Sequence, residues 1–177
     1  IVLDRTDQAA QELAAVSAAH PDEPRVHMLW SVVHQARQEP ERAIESVGRV
    51  LAVAPDHAPA HLLLGVVLRQ AGDDRGAEEA LRRAAALDPE DPTPHEILAQ
   101  LLSDARRHRE AVQAGRTAVE LGPGDPDAHF ALGYAAHDTQ RALAVEAYEA
   151  ALALDPQHVM AQHNLVGLRS RVSAGVR

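Results

Sequence analysis

Apolar residues fall at Ala77, Ala80, Leu81 and Ala84, the i, i+3, i+4, i+7 spacing that lays one stripe along an α-helix. The stripe predicts a helix from about residue 75 to residue 87, stopped by Asp88-Pro89. An earlier stripe of Leu64, Val67 and Leu68 predicts a partner helix from about residue 59 to residue 70. Gly72-Asp73-Asp74 separates the two, glycine supplying the left-handed residue that closes a helix. The pair recurs along the chain. Pro21, Pro55, Pro89 and Pro123 are each 34 residues apart, and Pro156 follows after 33. The text around them repeats as well, as in AVAPDHAPAHLLLG and ELGPGDPDAHFALG. Self-similarity at this period marks stacked helical hairpins. Asp91-Pro92 and Asp125-Pro126 are start signals, and Glu23-Pro24 is a weaker copy. An Asp N-cap accepts a backbone N–H, and proline in the first turn loses no hydrogen bond.

These recurring residues resemble the tetratricopeptide repeat, whose 34-residue pattern has a large residue at position 4, Leu at 7, Gly at 8, Ala at 20 and 27, and Pro at 32. His61, Leu64, Gly65, Ala77, Ala84 and Pro89 fill these positions in one unit. The next unit has His95, Leu98, Ala99, Ala111, Ala118 and Pro123. His129, Leu132, Gly133, Ala144, Ala151 and Pro156 follow, with one residue deleted between the helices. His27, Trp30, Ser31, Ala43, Val50 and Pro55 form a more divergent first copy. The resemblance implies an all-α fold, a right-handed superhelical solenoid of antiparallel helix hairpins. It lays out a single array: residues 1–21 as a lone second helix, full repeats at 24–55, 58–89, 92–123 and 126–156, and a terminal helix at 159–172. Small residues at positions 8, 20 and 27 are expected where helices cross, so that leucine at Gly65 or Ala77 would overpack the crossing. Position 24, usually a bulky aromatic, is Tyr148 in the last unit but Gly115 in the third. A mid-helix glycine that packs nothing would make residues 107–121 the soft spot.

Composition narrows the function. Hydrophobic residues make up 46% of the 177, yet aromatics only 2%, so the core must be built of Ala, Leu and Val. Every basic residue is Arg, which reads as a GC-rich, bacterial coding bias. The net charge of −9 argues against nucleic acid as a partner, which needs a basic patch. No window is long and apolar enough for a membrane span. The absence of cysteine removes disulfides and thiolate metal sites and fits a cytoplasmic address. The chain begins at Ile1 with neither Met nor a signal-peptide pattern, which suggests part of a longer protein.

No catalytic motif is present: there is no G-x-S-x-G, no phosphate-cradling glycine loop and no H-E-x-x-H. The expectation is a non-enzyme without cofactor or metal. Eleven histidines do not change that. His27, His61, His95 and His129 recur once per repeat, and helices packed ~8–10 Å apart cannot share an ion bound at ~2 Å. They are expected half-buried, hydrogen-bonded and neutral, with lowered proton affinity. The pairs His57/His61 and His158/His163 lack a third ligand. Glu78 and Glu79 are expected to pair along their helix with Arg82 and Arg83.

The first helix of each hairpin carries a separate face at positions 2, 5, 9 and 12, which in the resembled family lines a concave groove. Position 5 holds Met28, Leu62, Glu96 and Phe130, and position 9 holds Val32, Val66, Gln100 and Tyr134. Arg69 stands at position 12, in a series with Gln35, Ser103 and His137. The resemblance therefore implies a scaffold for a protein or peptide partner. Met28, Val32, Leu62, Val66, Phe130 and Tyr134 would form apolar ends, with Arg69, Glu96 and Gln100 a polar middle that sets register. Lys at position 5 and Asn at position 9, which grip a C-terminal carboxylate in one subclass, are missing. Two alternatives stand beside this reading: self-association into a homo-oligomer, with Ile1-Val2-Leu3 as an apolar edge, or a docking domain of a larger enzyme.

Overall fold

The structure is a computed structural model in which the chain is described at residues 2–21 and 23–174, and its side chains at 6–21 and 23–170. The Ile1-Val2-Leu3 edge lies outside the described side chains. Among the described residues the fold is all-α, with ten helices. The chain divides into two compact units, residues 1–88 and 89–177.

The first unit contains α1 (Val2–Ala19), α2 (Pro24–Ala36), α3 (Pro40–Val53), α4 (Ala58–Gln70) and α5 (Asp74–Leu87). Helices α2 and α3 form one hairpin and α4 and α5 another, with α3 also packed on α4 and α1 on α2. Ala10, Leu13, Val26 and Val33 make one buried cluster, on which Trp30 packs. Val47, Val50 and Ala60 make a second, joined by Met28, Leu51, Leu63 and Leu64. The second helices start where proline occupies the first turn or an aspartate caps it. Asp73 Oδ1 accepts from Gly76 N at 2.9 Å, and Pro40 opens α3. The turns between helices use a left-handed residue, Gly72 at φ +83° but Gln38 at φ +60°, a conformation costly for any residue with a Cβ.

The second unit contains α6 (Thr93–Asp104), α7 (His108–Leu121), α8 (Pro126–Ala136), α9 (Arg141–Leu154) and α10 (Val159–Ala174). Hairpins α6–α7 and α8–α9 stack through α7–α8 and α6–α8 contacts, and α10 packs on α9 and α8. Alanines fill most of its interior; Phe130 and Tyr148 are the aromatic exceptions.

Close crossings set the hairpin geometry. A Cβ on Gly65 would stand 2.6 Å from Leu81 Cγ, and one on Gly133 would stand 2.6 Å from the Tyr148 ring. Ala43, Ala77, Ala111 and Ala144, at position 20, are all fully buried. Gly115 departs from expectation. Far from packing nothing, it lets the backbones of α7 and α8 approach, since a Cβ there would meet Leu132 Cα at 2.7 Å. The bulky residue usual at this position is absent because a neighbouring main chain occupies its space. The inference of a soft spot at residues 107–121 therefore loses its basis.

On the surface, Glu78 pairs with Arg82 at 2.7 Å as expected. Glu79 turns back to Arg75 at 3.2 Å, and Arg83 reaches Asp56 in the turn before α4. Such exposed pairs contribute ~0–1 kcal/mol each.

The crossings yield a paired prediction. Gly115→Ala should destabilise the protein by roughly 1–3 kcal/mol, because backbone cannot retreat as a side-chain tip can. Gly48, exposed in α3 with nothing within 4 Å of a built Cβ, is the contrast. Gly48→Ala should stabilise by about 0.5–1 kcal/mol. Chemical denaturation of both variants decides; equal effects of the same sign would refute the distinction.

Candidate protein-binding surface

The nine residues of the expected groove divide between the units, and each set is a face of its own unit. On the first unit, Val32 is 50% exposed on α2, and Leu62 and Val66 are half-buried on α4. Met28 is half-buried and turned into the Val47–Val50–Ala60 cluster, so it is part of the floor. Arg69 is half-buried near the end of α4. Leu29, one position from Met28, is 55% exposed and extends the apolar strip along α2; family position alone did not single it out. At the ends of α2 and α4 a cavity of about 380 Å³ is lined by Gln35, Gln38, Pro40 and Gln70. Gln35 Nε2 is buried there with no hydrogen-bond partner among the described residues.

On the second unit, two expected contact residues are corrected. Phe130 and Glu96 are each only 8% exposed. Phe130 lies among rings, 4.9 Å from His158, 6.0 Å from Tyr134 and 6.0 Å from Tyr148 between centroids. It is a core residue because those rings enclose it, not an exposed anchor. Gln100 and Tyr134 are half-buried, and the Tyr134 hydroxyl donates to Asp104 Oδ1 at 2.6 Å. Tyr148 is fully buried; its hydroxyl accepts from Asn164 Nδ2 and faces His137 Nδ1, both at 3.2 Å. Burial pushes this phenol well above its usual 10.0. A cavity of about 370 Å³ opens beside these groups, lined by Ser103, Asp104, Arg106, Tyr134, His137, Asp138 and Asn164.

Histidines serve the local structure. Nδ1 of His57 accepts from Ala60 N at 3.1 Å, and Nδ1 of His158 from Ala161 N at 3.2 Å, so both imidazoles cap helices. The sequence carried this signal, since His57 and His158 stand where Asp91 and Asp125 stand in the other repeats. His61 and His129 donate Nε2–H to the carbonyls of Pro55 and Pro123, at 2.8 and 3.0 Å. Burial holds His95 below its usual value, with Asp91 acting in the opposite sense. His27 is buried. Among the described residues no group of three or more His, Cys, Asp or Glu side chains is placed to hold a metal ion. No described helix is long and apolar enough to cross a membrane.

Each unit is thus built of helical hairpins packed on one another. Family profiles described as tetratricopeptide repeat match residues 34–101 and residues 98–159. The chain belongs to the tetratricopeptide-repeat family, and it is a protein–protein interaction scaffold of a generally non-enzymatic class. No curated protein matches it. Solved structures do. MamA shares 22% identity at a TM-score of 0.72, over 87% of this chain and 91% of that one. A thermophilic tetratricopeptide-repeat protein of Thermus thermophilus shares 17% identity at 0.77, over 94% and 91%. YrrB, described as a tetratricopeptide-repeat protein with an unusual peptide-binding site, shares 20% at 0.69, over 91% and 85%. At these identities the likeness shows the fold.

Glu96 gives a pH prediction. Burial first, then the charges of Asp125, Asp127 and Asp91, raise its carboxyl from 4.5 to about 7. A raised carboxyl binds its proton more tightly folded than unfolded. Its stabilisation is therefore present at low pH and is lost as pH rises from 4.5 through about 7. Glu96→Gln should leave stability at pH 4.5 nearly unchanged and raise it at pH 8 by on the order of 1 kcal/mol. Melting curves of both proteins at the two pH values test this; a variant no more stable than wild type at pH 8 would refute it.

Proposed function

We propose that the α2–α4 face of the first unit binds an apolar segment of a protein partner, with Val32, Leu62 and Val66 in contact and Met28 beneath them. The observation that carries this reading is the exposure of Val32 and Leu29 directly on a helix whose neighbouring Met28 is anchored in the core. Apolar side chains held on a rigid floor lose little freedom when covered, so most of the burial energy is kept for affinity. Gln35, Gln38 and Gln70 at the end of the same helices supply neutral hydrogen-bonding groups for a peptide main chain. A peptide-binding site in YrrB, a structural neighbour, supports the same direction. Arg69, near the end of α4, would set register. In this reading Phe130 and Glu96 belong to the second unit's interior and make no contact with the apolar segment.

Self-association has an observation of its own. Val159, Met160 and Val166 of α10 are 71, 54 and 66% exposed, and a second copy is one way to cover them.

Selection of a displayed random-peptide library on the 177-residue chain tests the first reading. Peptides rich in Leu, Ile or Phe should be retained by wild type and lost by Val32→Asp/Leu62→Asp, with helical circular dichroism unchanged. Retention by both proteins would remove this face from the account. Light scattering on the same samples reads self-association; a dimer dispersed by Val166→Asp would favour the α10 contact instead.

A further inference from the structure

The first unit has a second cavity, whose lining runs against the charge of the whole chain. Its volume is about 410 Å³, and α1, α2 and α3 all contribute to its walls. Three guanidiniums, Arg37, Arg42 and Arg49, and two imidazoles, His27 and His34, line it against one described carboxylate, Glu45. The chain itself carries a net charge of −9. His27 and Arg49 also line an adjoining recess of about 340 Å³, whose other walls are Pro21, Ala52 and Val53. His27 is only 7% exposed, and its imidazole has no hydrogen-bond partner among the described residues. At the same repeat position, His61 and His129 each donate to a proline carbonyl. A buried imidazole that lines a cavity with its N–H unspent is suited to an acceptor entering from outside.

We propose that this cavity docks a phosphorylated serine or threonine of a partner protein, with a neighbouring apolar residue of the partner in the Pro21–Val53 recess. Each guanidinium already meets a carboxylate: Arg37 with Asp7 at 2.5 Å, Arg42 with Glu39 at 3.3 Å and Arg49 with Glu45 at 2.9 Å. The side chains of Arg42 and Arg49 are 66 and 60% exposed, and pairs so open are weak and readily exchanged. A carboxylate ligand would only replace like with like. A phosphoryl monoester brings about −1.5 to −2 charges and three acceptor oxygens, enough to engage guanidinium forks and the His27 N–H together. An extended polyanion such as nucleic acid is disfavoured, because Asp7, Glu39 and Glu45 stand beside the same arginines and would repel its further phosphates. The site is separate from the apolar face of the first unit. At about 100° per residue, His27, Trp30 and His34 share one side of α2, roughly opposite Leu29 and Val32.

Trp30 lines the cavity and is the one tryptophan of the chain, so its fluorescence reports on the site directly. The whole chain is titrated to about 10 mM with acetyl-Ala-Leu-phosphoseryl-Leu-Ala-amide, where millimolar affinities are visible. Its serine and glutamate twins and inorganic phosphate are titrated alongside. The phosphopeptide should change the Trp30 signal saturably, with each of the other three on the order of tenfold weaker or worse. Arg42→Gln/Arg49→Gln should weaken it by a similar factor with helical circular dichroism unchanged, whereas Arg75→Gln, on an exposed side chain of α5, should not. In the unmodified chain, the imidazole resonances of His27 should move with the phosphopeptide and stay still with its serine twin. The proposal is overturned if the serine or glutamate peptide binds as the phosphopeptide does, if His27 does not move, or if the double arginine variant binds as wild type does. Inorganic phosphate binding as tightly as the phosphopeptide would also overturn it, leaving an anion site with no docking role. Phosphopeptide binding that persists in Val32→Asp/Leu62→Asp would separate this site from the apolar face. Apolar capture without a phosphopeptide response would sink the site and spare that face.

Discussion

Every hairpin in this protein depends on how closely two helix backbones can cross. The crossing residues are Gly or small side chains with almost no exposure, Ser31, Gly65, Ala99 and Gly133 on the first helices, and Ala43, Ala77, Ala111 and Ala144 on the second. With 2% aromatic residues, the interior has few large side chains to fill gaps, so the helices themselves must come together. Gly115 extends the rule from the hairpin to the stacking of one hairpin on the next, by letting α7 meet the main chain of Leu132. The few aromatics present are spent where space remains, as with Tyr148 lying over Gly133.

That economy decides what is left for binding. Alanine-filled crossings consume the inward faces of both helices in each hairpin and leave the remaining face of the first helix to the solvent or a partner. On the first unit this face is apolar, with Leu29 and Val32 open and Met28 seated below. On the second unit the equivalent positions turn inward: Phe130 joins a ring cluster and Glu96 is buried beside like charges. One chain thus carries two chemically different faces on the same repeat.

Much of the fold was legible in the sequence because its signals were redundant. Proline spacing, Asp–Pro starts and in-phase small residues all required the same hairpins; α4 and α5 span Ala58–Gln70 and Asp74–Leu87, within a residue of the stripes that foretold them. The surface was less legible. Position 5 says which way a Cα points, not what lies in front of it, so Phe130 and Glu96 read as exposed although neighbouring side chains cover both, Tyr148 and His158 among those on Phe130. Gly115 misled for a related reason: sequence shows a missing side chain and cannot show the backbone of Leu132 in its place. The histidine caps at His57 and His158 were recoverable, since they align with Asp91 and Asp125, but imidazole is seldom considered among capping residues.

The crossing constraint is tested most directly by residue-resolved amide hydrogen exchange on the intact chain. Close packing at Gly115 predicts that interior amides of α7 (His108–Leu121) exchange as slowly as those of α5 (Asp74–Leu87), whose crossing with Gly65 is equally tight. Exchange through α7 that is much faster than through α5 would contradict the account, and would mean that the mid-helix glycine weakens the stack rather than closing it.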